Sequence, residues 1–393
     1  MKTKQQALRL QTTIRVMKPI YNQLLKLAAL LLCIVLLGGT LSAAEAGRRE
    51  FSKTLNKQYN ISADGTVDLT NKHGKIDVKT WAQQQVRISV KIVVKANDED
   101  DAQDVFNRIN IRFFNASDLA GAETIIDSQK SSWWNWGGNS DDYAINYEVY
   151  MPSSCQLKVD AKYCDVYAVP LEGSGNIVVK YGNIKLDGFG EDSHIVLGYG
   201  NGVIAHARDL GVDLSYGNMS ITHASDVNLS VRYGNVDIEN GGDVVLDSRY
   251  SNFKMGEIRE FRNTGKYDNV EIAFAEEIVC ETQYTDIKLA RLGRRANLDM
   301  SYGAAKISMV EAGFDEIQLN GRYTDFKIYL ANTASCSYDI SGSYTDIALP
   351  SSGVERRYDV KNGSSHQVKG TVGSGSSQLM ARLSYGGIVV GRN

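Results

Sequence analysis

Proline is nearly absent from this chain: there are four in 393 residues. That scarcity excludes collagen-like segments and Pro-rich linkers. Five widely spaced cysteines fit neither a dense disulfide framework nor a zinc site. No G-x-S-x-G elbow, H-E-x-x-H pair or P-loop occurs, so no familiar enzyme class is indicated. The longest apolar run, Leu27 to Leu37, is too short for a good spanning helix. Glycine (36) and tyrosine (21) are plentiful instead. Many Gly and Tyr with few Pro suit ladders of strands joined by tight turns.

The first 46 residues differ in kind from the rest. Lys2, Lys4, Arg9, Arg15, Lys18 and Lys26 precede the apolar run, and small residues follow, ending Ala44-Glu45-Ala46. Basic, then apolar, then Ala-x-Ala is the order of a secretory signal, with an uncleaved anchor as the other reading. Met17 opens a tidier signal than Met1. Cys33 lacks the small residues just before it that a lipoprotein site needs. Removing residues 1–46 leaves 37 basic and 45 acidic residues, a net of −8. Such a balance offers no footprint for nucleic acid. Export leads to an oxidising compartment, so a Cys155–Cys164 bridge is one option. Cys280 and Cys336 read as buried free thiols.

A tyrosine followed by a turn pair recurs at residues 163, 181, 199, 216, 233, 250, 267, 284, 302, 323, 344 and 385. The gaps are 17 or 18, then 21 twice, then 41, which places a degenerate turn near residue 364. Apolar residues alternate on both sides of each Tyr: Val227, Leu229 and Val231 before Tyr233, Val236 and Ile238 after it. Period-two alternation means a strand with one buried face. The pairs after Tyr216, Tyr233, Tyr250, Tyr284, Tyr323 and Tyr344 are Gly-Asn, Ser-Asn or Thr-Asp, which suit a corner. Each period then holds two short strands and two turns. Stacked copies would bury a continuous core. The expected fold is an all-β, single-stranded-type β-solenoid over residues 156–393, with 17–21 residues per repeat. About thirteen layers would make a rod on the order of 60 Å long.

Equivalent residues then form ladders. Tyr181, Tyr199, Tyr216, Tyr233, Tyr250, Tyr267 and Tyr284 make one, and Asn183, Asn218, Asn235 and Asn252 another. Each Tyr shares the parity of the apolar positions, so it reads as core-facing with its hydroxyl at a polar edge. Gly234, just after Tyr233, reads as the positive-φ corner residue. A propeller blade needs about forty residues, and a sandwich would not keep so strict a period.

Residues 47–155 follow the pattern loosely and read as a β-rich cap that shields the first open edge. His73 sits in the Tyr place of an early layer. Asp98-Glu99-Asp100-Asp101 before Ala102, Val105, Phe106 and Ile109 predicts one short helix.

The signal, the strand ending Tyr147-Glu148-Val149-Tyr150-Met151-Pro152 and the train of Tyr-Gly-Asn units together resemble the bacterial adhesin-like family, exported β-solenoids common in Bacteroidetes-type bacteria. The resemblance spans most of residues 50–393 and rests on the repeat. It implies the fold and an envelope protein, in some members tied to stress-responsive regulation. It supplies no ligand and no binding residues.

Trp133, Trp134 and Trp136 cluster in a Ser-Gly-Asn-rich loop, with Tyr143 nearby. Tryptophan faces suit sugars or a partner's apolar patch. The other reading is a loop that plugs the solenoid end. His206 and His223 lie one period apart and read as packed corner residues rather than metal ligands. Asp286, Asp325 and Asp346 read as corner caps rather than a calcium site. No cofactor is implied. The leading expectation is an exported, non-enzymatic binding protein contacting glycan or protein. A periplasmic structural or envelope-stress protein is the alternative, and a carbohydrate-acting β-helix enzyme the third.

Overall fold

The computed structural model describes residues 48–127, 143–375 and 377–393. The signal segment and Trp133, Trp134 and Trp136 lie outside them. The described chain is all-β with one helix.

Five consecutive strands, β11 (Asn201–Ser215), β12 (Asn218–Arg232), β13 (Asn235–Arg249), β14 (Asn252–Lys266) and β15 (Asn269–Gln283), show how the repeat folds. Each pairs in parallel with the next at a constant offset of one period: Leu229 lies opposite Leu246, and Val244 opposite Phe261. The chain therefore winds in stacked coils, a solenoid-like arrangement. Alternation along each strand sends Val227, Leu229 and Val231 inward, where they are at most 4% exposed. The outward residues meet water. A second bend lies halfway round each coil, where pairing lapses at Ala205/Thr222 and again at Arg208/Ser225 without breaking the strand. The two short strands expected per period are thus one bent strand.

The tyrosines correct the expectation of a core-facing corner. Every ladder Tyr has left-handed backbone angles, from φ 52° at Tyr323 to 62° at Tyr267. That kink reverses the alternation: Val231 points in, Tyr233 points out, and Gly234 turns in. Twelve Tyr rings stand 42–64% exposed. Gly234 lacks the positive φ assigned to it from the sequence, because Tyr233 carries it at 56°.

At the N-terminal end, β2 (Thr66–Thr80) is already a coil, in parallel register with β7 (Gln156–Ala168). His73, which stands in the Tyr place of this early layer, shares the tyrosines' left-handed backbone at φ 62°. Beyond β2 lie β5 (Leu119–Ile126) and β6 (Tyr143–Met151). Antiparallel strands cover them: β3 (Gln85–Ala96) pairs with β6, β1 (Arg49–Asn60) with β3, and β4 (Ile109–Asn115) with β5. The helix, α1 (Glu99–Arg108), is N-capped by Asp98, whose side chain accepts from the Asp101 N–H at 2.9 Å.

The C-terminal end departs from the spacing. β17 (Glu316–Leu330) and β18 (Cys336–Ala348) follow each other in sequence but do not pair. The last strand, β21 (Ser377–Arg392), lies between them in parallel with both. In place of a degenerate turn near residue 364, β19 (Val354–Asn362) and β20 (Ser365–Val372) form an antiparallel hairpin that covers β18. All four described cysteines are free and buried, so no Cys155–Cys164 bridge forms.

Candidate binding surface

Along one side of the stack the corners line up. Adjacent Tyr rings sit 4.8–5.1 Å apart between centroids, with interplanar angles of 3–15°. The row begins at His73, which stacks on Tyr163 at 5.1 Å. Tyr143, expected beside the Trp segment, meets His73 edge-on at 5.3 Å and so joins this row. Burial, with Lys72 and Lys162 nearby, holds the His73 imidazole below its usual pKa.

The row has an energetic oddity. A non-glycine residue in the left-handed region costs about 1–2 kcal/mol. Each added ring gains about one stack, worth roughly 0.5–1.5 kcal/mol. Burial of about half of each ring adds to that gain. Glycine would accept this backbone without strain but would bring no ring to the row.

Two residues beyond the tyrosines from Tyr181 to Tyr267 runs the amide ladder. Asn183 Nδ2 donates to Asp165 Oδ1 at 3.0 Å, and Asn201 Nδ2 to Asn183 Oδ1 at 3.3 Å. Asn218, Asn235, Asn252 and Asn269 each donate to the preceding Asn at 2.6–2.9 Å. All the amides point toward Asp165, which also accepts the Asn183 backbone N–H at 2.8 Å. One amide hydrogen per Asn remains for a ligand or water. Farther along, Asp286 accepts the Ala304 N–H and Asp325 the Gly387 N–H, the capping role expected of them.

Between the two rows lies a trough of about 600 Å³. Tyr163, Tyr181, Tyr199 and Tyr216 form one wall, and Asp165, Asn183, Asn201 and Asn218 the other. Its floor is Gly182, Gly200 and Gly217, all half-buried. Beyond Gly234 the floor positions become Ser251, Asp268 and Thr285, which are buried at the same corner. Ser251 and Thr285 turn their hydroxyls onto the carbonyl two residues back. The sequence marked the Tyr and Asn rows as structural and missed the trough. Its signal was the run of glycine after Tyr181, Tyr199 and Tyr216, ending in Ser251.

A second hollow of about 620 Å³ lies at the other bend, beside His223, Asp226 and Phe274. Its Arg259 pairs with Asp243 at 2.6 Å. His206 and His223 are exposed there, 6.2 Å apart between centroids and tilted by 55°. The packed-corner expectation is therefore corrected: alternation buries Ile204 and Ile221, the bend at Ala205 and Thr222 shifts it by one so that Ala207 and Ala224 are buried next, and the two histidines face water. Among the described residues no three His, Cys, Asp or Glu side chains converge as metal ligands.

No protein-family model matches the chain, and no curated protein matches it. Among solved structures it is similar to a candidate cell adhesion protein from Clostridium sporogenes, at 9% identity and a TM-score of 0.20, over 87% of this chain and 100% of that one. A candidate lipid-binding protein from Parabacteroides distasonis matches at 10% identity and 0.25, over 86% and 96%. A candidate adhesin from Bacteroides fragilis matches at 10% identity and 0.19, over 86% and 97%. At these TM-scores none bears on what this chain binds.

Proposed function

We propose that this chain is a single-stranded β-solenoid working as an exported, non-enzymatic, adhesin-like binding protein of the bacterial envelope, and that the Tyr–Asn trough contacts glycan or protein. One observation carries the reading: a row of tyrosines in left-handed backbone keeps its edges exposed beside an aligned row of amides. A carbohydrate-acting enzyme would need two carboxylates across the scissile bond. The trough has one, Asp165, already accepting two hydrogen bonds from Asn183. Nucleic acid would need cations, and no Lys or Arg lines the trough.

The Asn–Asn bonds also suit a purely structural rod in the periplasm, which is the second reading. Protease added to intact cells separates the two, with a soluble periplasmic protein as the leakage control. Loss of this protein from intact cells is the expected result. Protection until the outer membrane is opened would favour the periplasmic reading.

A further inference from the structure

The trough constrains the chemistry of what fits it. We infer, resting on the reading of the trough as a binding site, that its ligand is a linear, uncharged, β-1,4-linked glycan lying along the rod with about one sugar per coil.

The trough withholds ring faces and strand edges. The Tyr rings face one another at interplanar angles of 6–15° along the trough, so their faces are covered and only edges and hydroxyls are free. A flat ligand cannot stack along the row. The corner backbone is also spent. Tyr181 N–H bonds Gly198 O at 2.9 Å, Tyr199 N–H bonds Ser215 O at 2.9 Å, and Asn218 N–H bonds Gly200 O at 3.3 Å. An extended peptide therefore finds no strand edge to join. Its rise of about 3.3 Å per residue is also out of step with the coils.

The trough offers hydrogen-bonding groups at a fixed interval instead. Phenol hydroxyls and amide N–H groups repeat in two parallel rows. The ring spacings along it are 5.0, 4.9 and 4.8 Å. An extended chain of equatorially linked pyranose rings repeats at close to the same interval and presents hydroxyls on both edges. Successive rings are flipped, so each edge offers a hydroxyl at every coil and repeats the same hydroxyl at every second one. The absence of a lining cation and the carboxylate of Asp165 at one end disfavour an acidic glycan. Four Tyr corners bound the trough, so four sugars fill it.

The test titrates the mature full chain with cello- and chito-oligosaccharides of two to eight units, with an oligouronate and an extended peptide as comparators. Affinity for the neutral series should rise to about four units and then level off. Tyr199→Phe, which removes one hydroxyl and keeps the stack, should weaken binding by up to about tenfold. Tyr302→Phe, outside the trough, should not. Affinity independent of chain length, or binding of the oligouronate or the peptide in place of neutral sugars, overturns the inference. So does silence from every neutral oligosaccharide. If labelled protein still attaches to cells through the trough in that case, the binding reading survives and only the ligand class falls. If it does not attach, both fall.

Discussion

Tyr385 stacks between Tyr323 and Tyr344, at 4.8 Å from one ring and 5.0 Å from the other, although it follows both in the chain. The final strand is thus a wedge between two coils made before it. Its apolar residues Leu379, Ala381 and Ile388 are at most 1% exposed. Placing a charge there leaves it unpaired in the core, a cost of several kcal/mol. Leu379→Asp should abolish hydrogen-exchange protection in β17, β18, β20 and β21. Protection in β11 to β13 should persist, because coils couple chiefly to their neighbours. Uniform loss along the rod would show a single cooperative unit instead.

At Tyr233 the strain and the stacking can be separated. Tyr233→Ala loses two stacks and keeps the left-handed strain, so it should destabilise by about 1–3 kcal/mol. Tyr233→Gly loses the stacks and removes the strain. It should be about 1 kcal/mol less damaging than alanine, the reverse of the usual strand preference. Denaturant midpoints of the two variants decide the point.

The glycines after Tyr181, Tyr199 and Tyr216 are required by the neighbouring coil rather than by φ. A Cβ on Gly217 would lie 2.0 Å from the Gly200 carbonyl oxygen. On Gly234 the closest atoms are side-chain carbons at 3.0 Å. Gly217→Ala should therefore cost about 1–3 kcal/mol by overpacking, and Gly234→Ala less. Equal melting temperatures for the two variants would remove this account of the corner.

Asp268 is a buried acid at the same corner. Ser248 Oγ donates to its Oδ2 at 2.8 Å, and the Ser251 N–H to its Oδ1 at 2.9 Å. Burial raises its pKa above the ordinary carboxyl value despite those bonds. The folded state then binds the proton more tightly than the unfolded state. Its stabilising effect is full below the unfolded pKa and is lost as pH rises through the folded one. Asp268→Asn should be relatively more stable at neutral pH. That advantage should shrink as the pH falls through the carboxyl range. A stability difference independent of pH would contradict this.

The thiols give a chemical check. Burial pushes Cys155 and Cys336 up to about 11 and Cys164 up to about 12. Thiolate is the reactive form, so none should alkylate in the folded protein at pH 8, and all four described cysteines should do so after unfolding. A Cys155–Cys164 disulfide in the peptide map would contradict the structure.

The coils were legible because a 17-residue period, alternating apolar residues and Tyr-Gly-Asn corners all pointed to one stacked register. The outward turn of Tyr was not. Its parity with Val231 implies an inward side chain unless the backbone is left-handed, and tyrosine rarely is. The wedge at Tyr385 was hidden for a different reason. The 41-residue gap is close to two periods, and near-equivalent coils do not record which neighbour each will choose. The Asn row was legible as a ladder. Asp165, which ends it, was not, because aspartate there breaks the Tyr-Gly-Asn pattern.

Attachment of fluorescently labelled protein to envelope surfaces, compared between two variants, tests the central claim most directly. One is Tyr199→Ala with Asn201→Ala, inside the trough. The other is Tyr302→Ala, in the same ladder but outside it. Both should fold, with similar circular dichroism. The account predicts that the trough variant loses attachment while the Tyr302 variant keeps it. Equal attachment by both would show that the trough is not the binding surface.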